Sequence, residues 1–154
     1  MILVTLGTQK QQFTRLLDMI EKSKIKEKIV VQAGHTKYES KKMEIFDFID
    51  YKEMDKLIDK ANIIITHGGT GSIVTPLKKE KKVIALPRLA KYGEHVDDHQ
   101  IQIVDMFSEV GYIMKLNEND NIDELVNKIK NKKMTKFESN TENFISKLKK
   151  EIDN

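Results

Sequence analysis

The stretch Ile63-Ile64-Ile65-Thr66-His67-Gly68-Gly69-Thr70-Gly71-Ser72 constrains the fold more than any other part of this chain. A run of β-branched apolar residues is satisfied on both faces only inside a sheet. Here it ends in a turn holding three glycines, after which a helical pattern begins. A buried strand that stops, turns tightly and opens a helix leaves the first helical amides bare. Those amides and the helix dipole form a seat for an anion, most often a phosphate. Glycine lets the backbone come within contact distance of that anion. In an open α/β sheet, ligands bind at this end of a strand. The segment therefore points to a nucleotide or another phosphorylated ligand.

The same alternation runs along the chain. Ile2 to Leu6 reads as a buried strand ended by Gly7-Thr8, and Phe13, Leu16, Leu17 and Ile20 follow at helical spacing. Lys28 to Ala33 is a second strand closed by Gly34, and Met43 to Ile49 is a third, with untidy alternation. Asp50 is placed to cap a helix carrying Met54, Leu57, Ile58 and Ala61. Ile63 to Thr66 is the fourth strand, and the helix after Gly71 carries Ile73, Val74 and Leu77. Val83 to Leu86 is the fifth strand, stopped by Pro87, and Arg88 to Val96 is a loop. Ile101, Ile103, Val104 and Phe107 mark the next helix, and Tyr112 to Leu116 a short strand after Gly111. Ile122, Leu125, Val126 and Ile129 mark a helix begun near Asp120 or Asn121. Strands alternating with helices predict an α/β fold with a doubly wound parallel sheet. Residues 1–134 are read as one Rossmann-like domain. Residues 135–154 form a basic tail in which Phe137, Phe144, Ile145 and Leu148 give an amphipathic helix. Such a helix either docks on its own domain or reaches a partner.

Composition removes several classes. With 154 residues, 39% of them hydrophobic, the chain fits one domain with a real core, or half of a two-domain enzyme. It has no cysteine, which excludes disulfides, zinc-thiolate sites and thiol catalysis. The net charge of +3 is small and aromatics are only 6%, so neither a basic track nor base stacking argues for a nucleic-acid partner. No apolar run approaches the roughly 20 residues of a membrane span. The start, Met1-Ile2-Leu3-Val4-Thr5-Leu6, has no basic n-region. The expectation is a cytoplasmic protein whose membrane contact is peripheral or made through a partner.

Three clusters carry the chemistry. Leu6-Gly7-Thr8-Gln9 offers amides and a hydroxyl at a strand end, or is an ordinary turn with a cap. The His67 to Ser72 turn is not the dinucleotide fingerprint, because Val74 stands at the third glycine position. It is not a P-loop either, because no Gly-Lys-Ser/Thr follows. Redox dinucleotides and ordinary NTP hydrolysis are therefore disfavoured. His67 has three readings: a cap for backbone groups, a donor to phosphate, or a base near neutral pH. The third cluster, Pro87-Arg88 and then Gly93-Glu94-His95-Val96-Asp97-Asp98-His99-Gln100, packs two histidines, three carboxylates and a glutamine into one loop. His95 and His99 at i, i+4 suit a metal, but the glutamate of a zinc-protease helix is missing. A loop that recognises sugar and phosphate through many directional donors is the preferred reading, and a capped helix start is the plain one. His35, after Gly34, reads as an exposed loop histidine.

Together, His-Gly-Gly-Thr-Gly-Ser after a strand, Leu-Pro-Arg, and Gly-Glu-His-Val-Asp-Asp-His-Gln resemble the C-terminal domain of family 28 glycosyltransferases over about residues 1–130. Within that family the likeness is to separately encoded catalytic subunits of two-component transferases, including those of bacterial capsular and exopolysaccharide synthesis. The resemblance implies one half of a GT-B enzyme, in which this nucleotide-sugar-binding domain takes a UDP-sugar. A membrane-bound subunit would hold a lipid-linked saccharide acceptor and keep this chain peripheral at the inner face of the membrane. It implies inverting transfer of a hexose or N-acetylhexosamine by the complex, with no metal and no cofactor beyond the donor substrate. A noncatalytic nucleotide-sugar-binding or scaffold subunit is the alternative.

By the same resemblance, Gly7 and Thr8 face the diphosphate. Gly68, Gly69, Thr70 and Gly71 lie against the diphosphate and nucleoside, and Pro87 and Arg88 wall the uracil; His67 and Ser72 of the same turn are expected to bind substrate. Glu94, His95, His99 and Gln100 contact sugar and phosphates, with Glu94 or His95 as a candidate base unless the partner supplies it. Arg88 or His99 would neutralise the leaving diphosphate. One departure stands out. Relatives often carry a ribose-binding glutamate shortly after the glycine turn, where this chain has Thr75, followed by Pro76 in what is read as the helix's first turns.

Overall fold

A computed structural model describes residues 1–138 together with Ser146. Its centre is a parallel sheet of six strands: β1 (Ile2–Thr5), β2 (Ile29–Gln32), β3 (Glu44–Phe46), β4 (Ile63–His67), β5 (Lys82–Leu86) and β6 (Met114–Lys115). Their spatial order is β3-β2-β1-β4-β5-β6. β1 pairs in register with β2 on one side, Ile2 opposite Ile29, and with β4 on the other, Ile2 opposite Ile63. The expected α/β architecture, Rossmann-like and doubly wound, is what the chain adopts. Strand order reverses between β1 and β4, so the crevice that such sheets use for ligands opens there.

Alternation along β1 divides the core. Ile2 and Val4 face α1 (Thr14–Glu21) and α5 (Ile122–Asn131), with Leu16, Leu17, Ile20, Leu125 and Ile129 in one cluster. Leu3 faces the opposite cluster, built from α2 (Tyr51–Lys60), α3 (Thr70–Lys78) and α4 (His99–Val110) through Ile58, Ile73, Leu77, Val104 and Phe107. A sheet covered on both faces explains why its central strands read as continuous apolar runs. Helix starts follow the sequence: Asp50 accepts from the Glu53 amide at 2.9 Å, and Asn121 accepts from the Asp123 amide at 2.9 Å.

Three expectations need correction. The third strand stops at Phe46, because Phe48 and Ile49 leave the sheet and face solvent. Pro76 is not in the first turn of its helix; α3 starts at Thr70 and runs through it, and its ring leaves the Ser72 carbonyl without an i+4 donor. The loop after β5 contains one 3-10 turn, Ala90–Tyr92.

Most of the anticipated tail helix, with Phe144, Ile145 and Leu148, lies outside the described residues. Its first part is not helical. The Thr135 amide donates to the Gly111 carbonyl at 3.0 Å, and the Phe137 ring packs 5.1 Å from Tyr112 and 6.4 Å from Phe107. Among the described residues, no helix is long and apolar enough to cross a membrane.

Ile64 sits at 0% exposure in a strand paired on both sides. Truncation of Ile64 to alanine is expected to cost about 2–5 kcal/mol, measured by urea unfolding, with the fold retained.

Candidate functional site at the strand ends

The loops after β1, β4 and β5 meet at one edge of the sheet, and the residues singled out there fall into two groups. Thr8 and Gly71 are exposed, and Gly7, Gly69, Thr70, Ser72, His95 and His99 are partly so. His67, Gly68, Arg88, Glu94 and Gln100 are buried.

The buried group is a hydrogen-bond network that joins the loops. Gln100, near the start of α4, accepts through Oε1 from the Gly68 amide at 2.9 Å and the Arg88 amide at 3.0 Å. Its amide nitrogen therefore faces His67 Nδ1, 3.2 Å away, and donates to it. That fixes the tautomer: His67 carries its proton on Nε2, which donates to Ser72 Oγ at 3.1 Å. Burial, then the nearby Arg88 charge, lowers the His67 pKa from 6.5 to about 3. His67 is consequently neutral at physiological pH, and the reading of it as a base gives way to that of a fixed donor to Ser72.

Arg88 is 1% exposed and lies 4.8 Å from the Phe13 ring centroid. Its guanidinium donates to the carbonyls of Leu6 at 2.6 Å, Gln11 at 2.8 Å and Glu94 at 3.0 Å. It is not an exposed wall for a base or a mobile cation for a leaving group; it closes the loops after β1 and β5. Glu94 is 3% exposed and held by Arg15, with Nε at 3.0 Å and Nη2 at 2.9 Å, while the Leu89 amide donates to it at 3.0 Å. In this arrangement the Glu94 carboxylate is held in a two-nitrogen pair with Arg15 rather than turned to the open edge. Gln100 likewise spends its carboxamide inside the protein rather than on sugar.

The glycines divide in the same way. A Cβ on Gly7 would lie 2.5 Å from His67 Nε2, and one on Gly69 would lie 2.4 Å from His67 Cε1. An imidazole is wedged between these two residues, and Gly7 is also held to glycine by its φ of +79°. A Cβ on Gly68 would meet Gln100 and Val104 of α4 at 2.8 and 2.9 Å. Around Gly71, as around Gly93 in the loop after β5, a Cβ meets nothing within 4 Å. Gly71 lies in the first turn of α3, where no side chain caps the bare amides. The start of α3 at Thr70, Gly71 and Ser72, with Thr8 on the neighbouring loop, is therefore the open part of this edge.

Sequence reasoning missed several contributors. Gln32 accepts from the Gly7 amide at 3.2 Å and donates to the Gly7 carbonyl at 3.1 Å, holding the first turn. Arg15, on α1, had no motif to mark it. At the end of β3, Phe48, Ile49 and Tyr51 are 50%, 37% and 92% exposed, and His35 meets Phe48 edge-on at 5.2 Å. A run of exposed apolar residues directly after a strand was the available signal. His95, Asp97 and His99 cluster at the start of α4; burial, then the neighbouring His99, pushes the His95 pKa down.

A parallel sheet of order 3-2-1-4-5-6 flanked by helices on both faces defines a Rossmann-like domain, the architecture of one half of GT-B enzymes. The chain belongs to the glycosyltransferase family 28 C-terminal domain, which matches residues 1–154. It is 34% identical over 73 residues to a UDP-N-acetylglucosamine transferase subunit, ALG13, of Saccharomyces cerevisiae, covering 47% of this chain and 34% of that protein. The corresponding subunit of Candida albicans is 27% identical over 100 residues, covering 65% and 32%. This chain thus spans about a third of the length of these curated relatives. Among solved structures, the NMR structure of ALG13 superposes with a TM-score of 0.62 at 22% identity, covering 96% of this chain and 94% of that one. The glycosyltransferase SnogD from Streptomyces nogalater gives 0.57 at 18%, covering 82% and 34%. At these identities the solved structures establish the fold.

Two outcomes follow. Gly69→Ala is expected to lower the urea midpoint markedly, whereas Gly71→Ala leaves it unchanged or raises it by up to about 1 kcal/mol, since helical alanine is preferred to glycine. The depressed His67 pKa means that the unfolded chain binds a proton the native site refuses. The associated stability is complete above pH 6.5 and is lost as pH falls toward 3. Between pH 7 and pH 5, wild type should lose about 2 kcal/mol more than His67→Gln in paired urea titrations.

Proposed function

We propose that this chain is the donor-binding subunit of a glycosyltransferase that uses a UDP-sugar. The observation that carries the reading is the uncapped start of α3, with Gly71 open to solvent, set at the switch point of the sheet. A diphosphate fits there, receiving the amides of Thr70, Gly71 and Ser72 and the hydroxyls of Ser72 and Thr8. His67 works through Ser72: because the hydroxyl oxygen accepts from Nε2, its own proton is left to point at the ligand. Two strand spacings from β1, about 10 Å away, Phe48 and Tyr51 offer apolar faces to a nucleobase. His95 and His99, on the other side, face the sugar.

In this reading the reaction is inverting transfer of a hexose or N-acetylhexosamine to a lipid-diphosphate-linked saccharide. The charge of the departing UDP is stabilised by the α3 amides. The acceptor and its base come from a membrane-bound partner, which holds this chain at the inner face of the membrane. The pairing of Glu94 with Arg15 favours a base supplied from outside the motif. It also keeps the scaffold alternative in play, in which the chain binds nucleotide sugar without contributing to chemistry.

A melting screen against UDP, UDP-sugars, GDP-sugars and NAD tests the core of the reading. UDP and UDP-sugars should raise Tm selectively, and Ser72→Ala should reduce that shift beyond the drop in unliganded Tm expected from leaving His67 Nε2 unpaired. Shifts by all nucleotides alike, or by none, would overturn the donor assignment. In transfer assays the purified chain alone should show little turnover with soluble acceptor.

A further inference from the structure

Gln32 ends β2, the strand that lies between β1 and β3. Its neighbours Ile29, Val30 and Val31 are buried, and Gln32 itself is 6% exposed. Packing alone would be served there by another aliphatic residue, because a buried carboxamide is costly unless its polar atoms are paired. Those of Gln32 are paired. Oε1 accepts from the Gly7 amide at 3.2 Å, and Nε2 donates to the Gly7 carbonyl at 3.1 Å and the Asp47 carbonyl at 3.2 Å. A backbone N–H must meet the oxygen and two carbonyls must meet the nitrogen, so the partners fix which way the carboxamide faces. The main chain of Gln32 stays in the sheet, where its carbonyl accepts from the Leu6 amide at 3.0 Å.

One side chain thus clamps the loop after β1 to the loop after β3. On the first loop it holds the Gly7 carbonyl. No peptide among the described residues is cis, so the Thr8 N–H points opposite to the Gly7 carbonyl of the same peptide unit. With that carbonyl turned to Gln32, the Thr8 amide is turned out of the joint between β1 and β2, and Thr8 is exposed. Gly34 packs on the same carbonyl: a Cβ at position 34 would lie 2.5 Å from the Gly7 oxygen. On the second loop the clamp holds the Asp47 carbonyl, one residue before the exposed Phe48. The Gly34 amide shares that carbonyl at 2.9 Å.

We propose that Gln32 is a positioning residue for the nucleotide. It aims the Thr8 amide as a donor to the diphosphate and sets the distance between that donor and the base surface at Phe48. It acts through Gly7 and Asp47, not by touching the ligand. The proposal rests on the donor-binding reading, in which Thr8 serves the diphosphate and Phe48 the base.

The test titrates the isotopically labelled full chain with UDP, followed by amide NMR and calorimetry. In wild type the Thr8, Phe48 and Gly71 amides should shift along one saturation curve. Gln32→Met keeps the length of the side chain and removes its hydrogen bonds. It should weaken UDP binding about tenfold, the worth of one hydrogen bond to a charged group. At saturation it should lose the Thr8 shift and keep the Gly71 shift, which an unfolded variant would lose as well. Gln32→Glu, a carboxylate that still accepts from Gly7 but cannot donate, should behave alike. A folded variant that keeps the Thr8 shift, or binds UDP within about twofold of wild type, overturns the proposal. Wild type alone gives a further arm. A Thr8 amide that donates to the diphosphate polarises the Gly7 carbonyl and strengthens its bond from Nε2, so UDP should move the Gln32 side-chain protons downfield. Unmoved protons at UDP saturation overturn the proposal too, while the donor reading stands. Absence of UDP binding by wild type overturns both.

Discussion

Three loops that are far apart in the chain end at one edge of the sheet, and each would leave backbone groups unpaired if it stood alone. Arg88 and Gln100 solve this together. The guanidinium reaches the carbonyls of Leu6, Gln11 and Glu94, and the carboxamide reaches the amides of Gly68 and Arg88. A buried group with several fitted partners holds its partners as firmly as they hold it. The α3 amides are presented at a fixed angle only because this network fixes the strand end before them. What looks from the sequence like a ligand-contact motif is in large part the frame for a smaller contact surface.

That distinction explains what the sequence disclosed. The order of strands and helices was legible because hydrophobic period and turn chemistry agree at Gly7, Gly34, Asp50, Pro87 and Asn121. The shared face of the site was legible too, since successive strand ends of a parallel sheet lie side by side. The division of labour was not. Nothing in a string of letters separates a glycine that faces open space from one that admits a histidine ring, and both kinds occur within His67 to Ser72. Glu94, Arg88 and Gln100 are polar residues in a polar loop, and only their burial reveals that they face inward. Arg15 was invisible because its partner lies 79 positions away. Pro76 misled for another reason: packing of α3 on the sheet overrides the local preference against proline inside a helix.

The exposed edge is asymmetric. The start of α3 and Thr8 present donors, the end of β3 presents apolar rings, and the start of α4 presents two histidines and an aspartate.

The His67 ring wedged between Gly7 and Gly69 also bears on how this family can change. Two turns separated by more than sixty residues touch the same five-membered ring, so neither has a free choice of side chain while histidine remains. Replacement of the ring by a smaller group would release Gly69 and free Ser72 from its donor, while Gly7, at φ +79°, would still favour glycine. Positions 67, 69 and 72 should therefore drift as a set across homologues, while Gly7 is retained for its backbone. Gly71, which touches none of them, should follow the ligand instead.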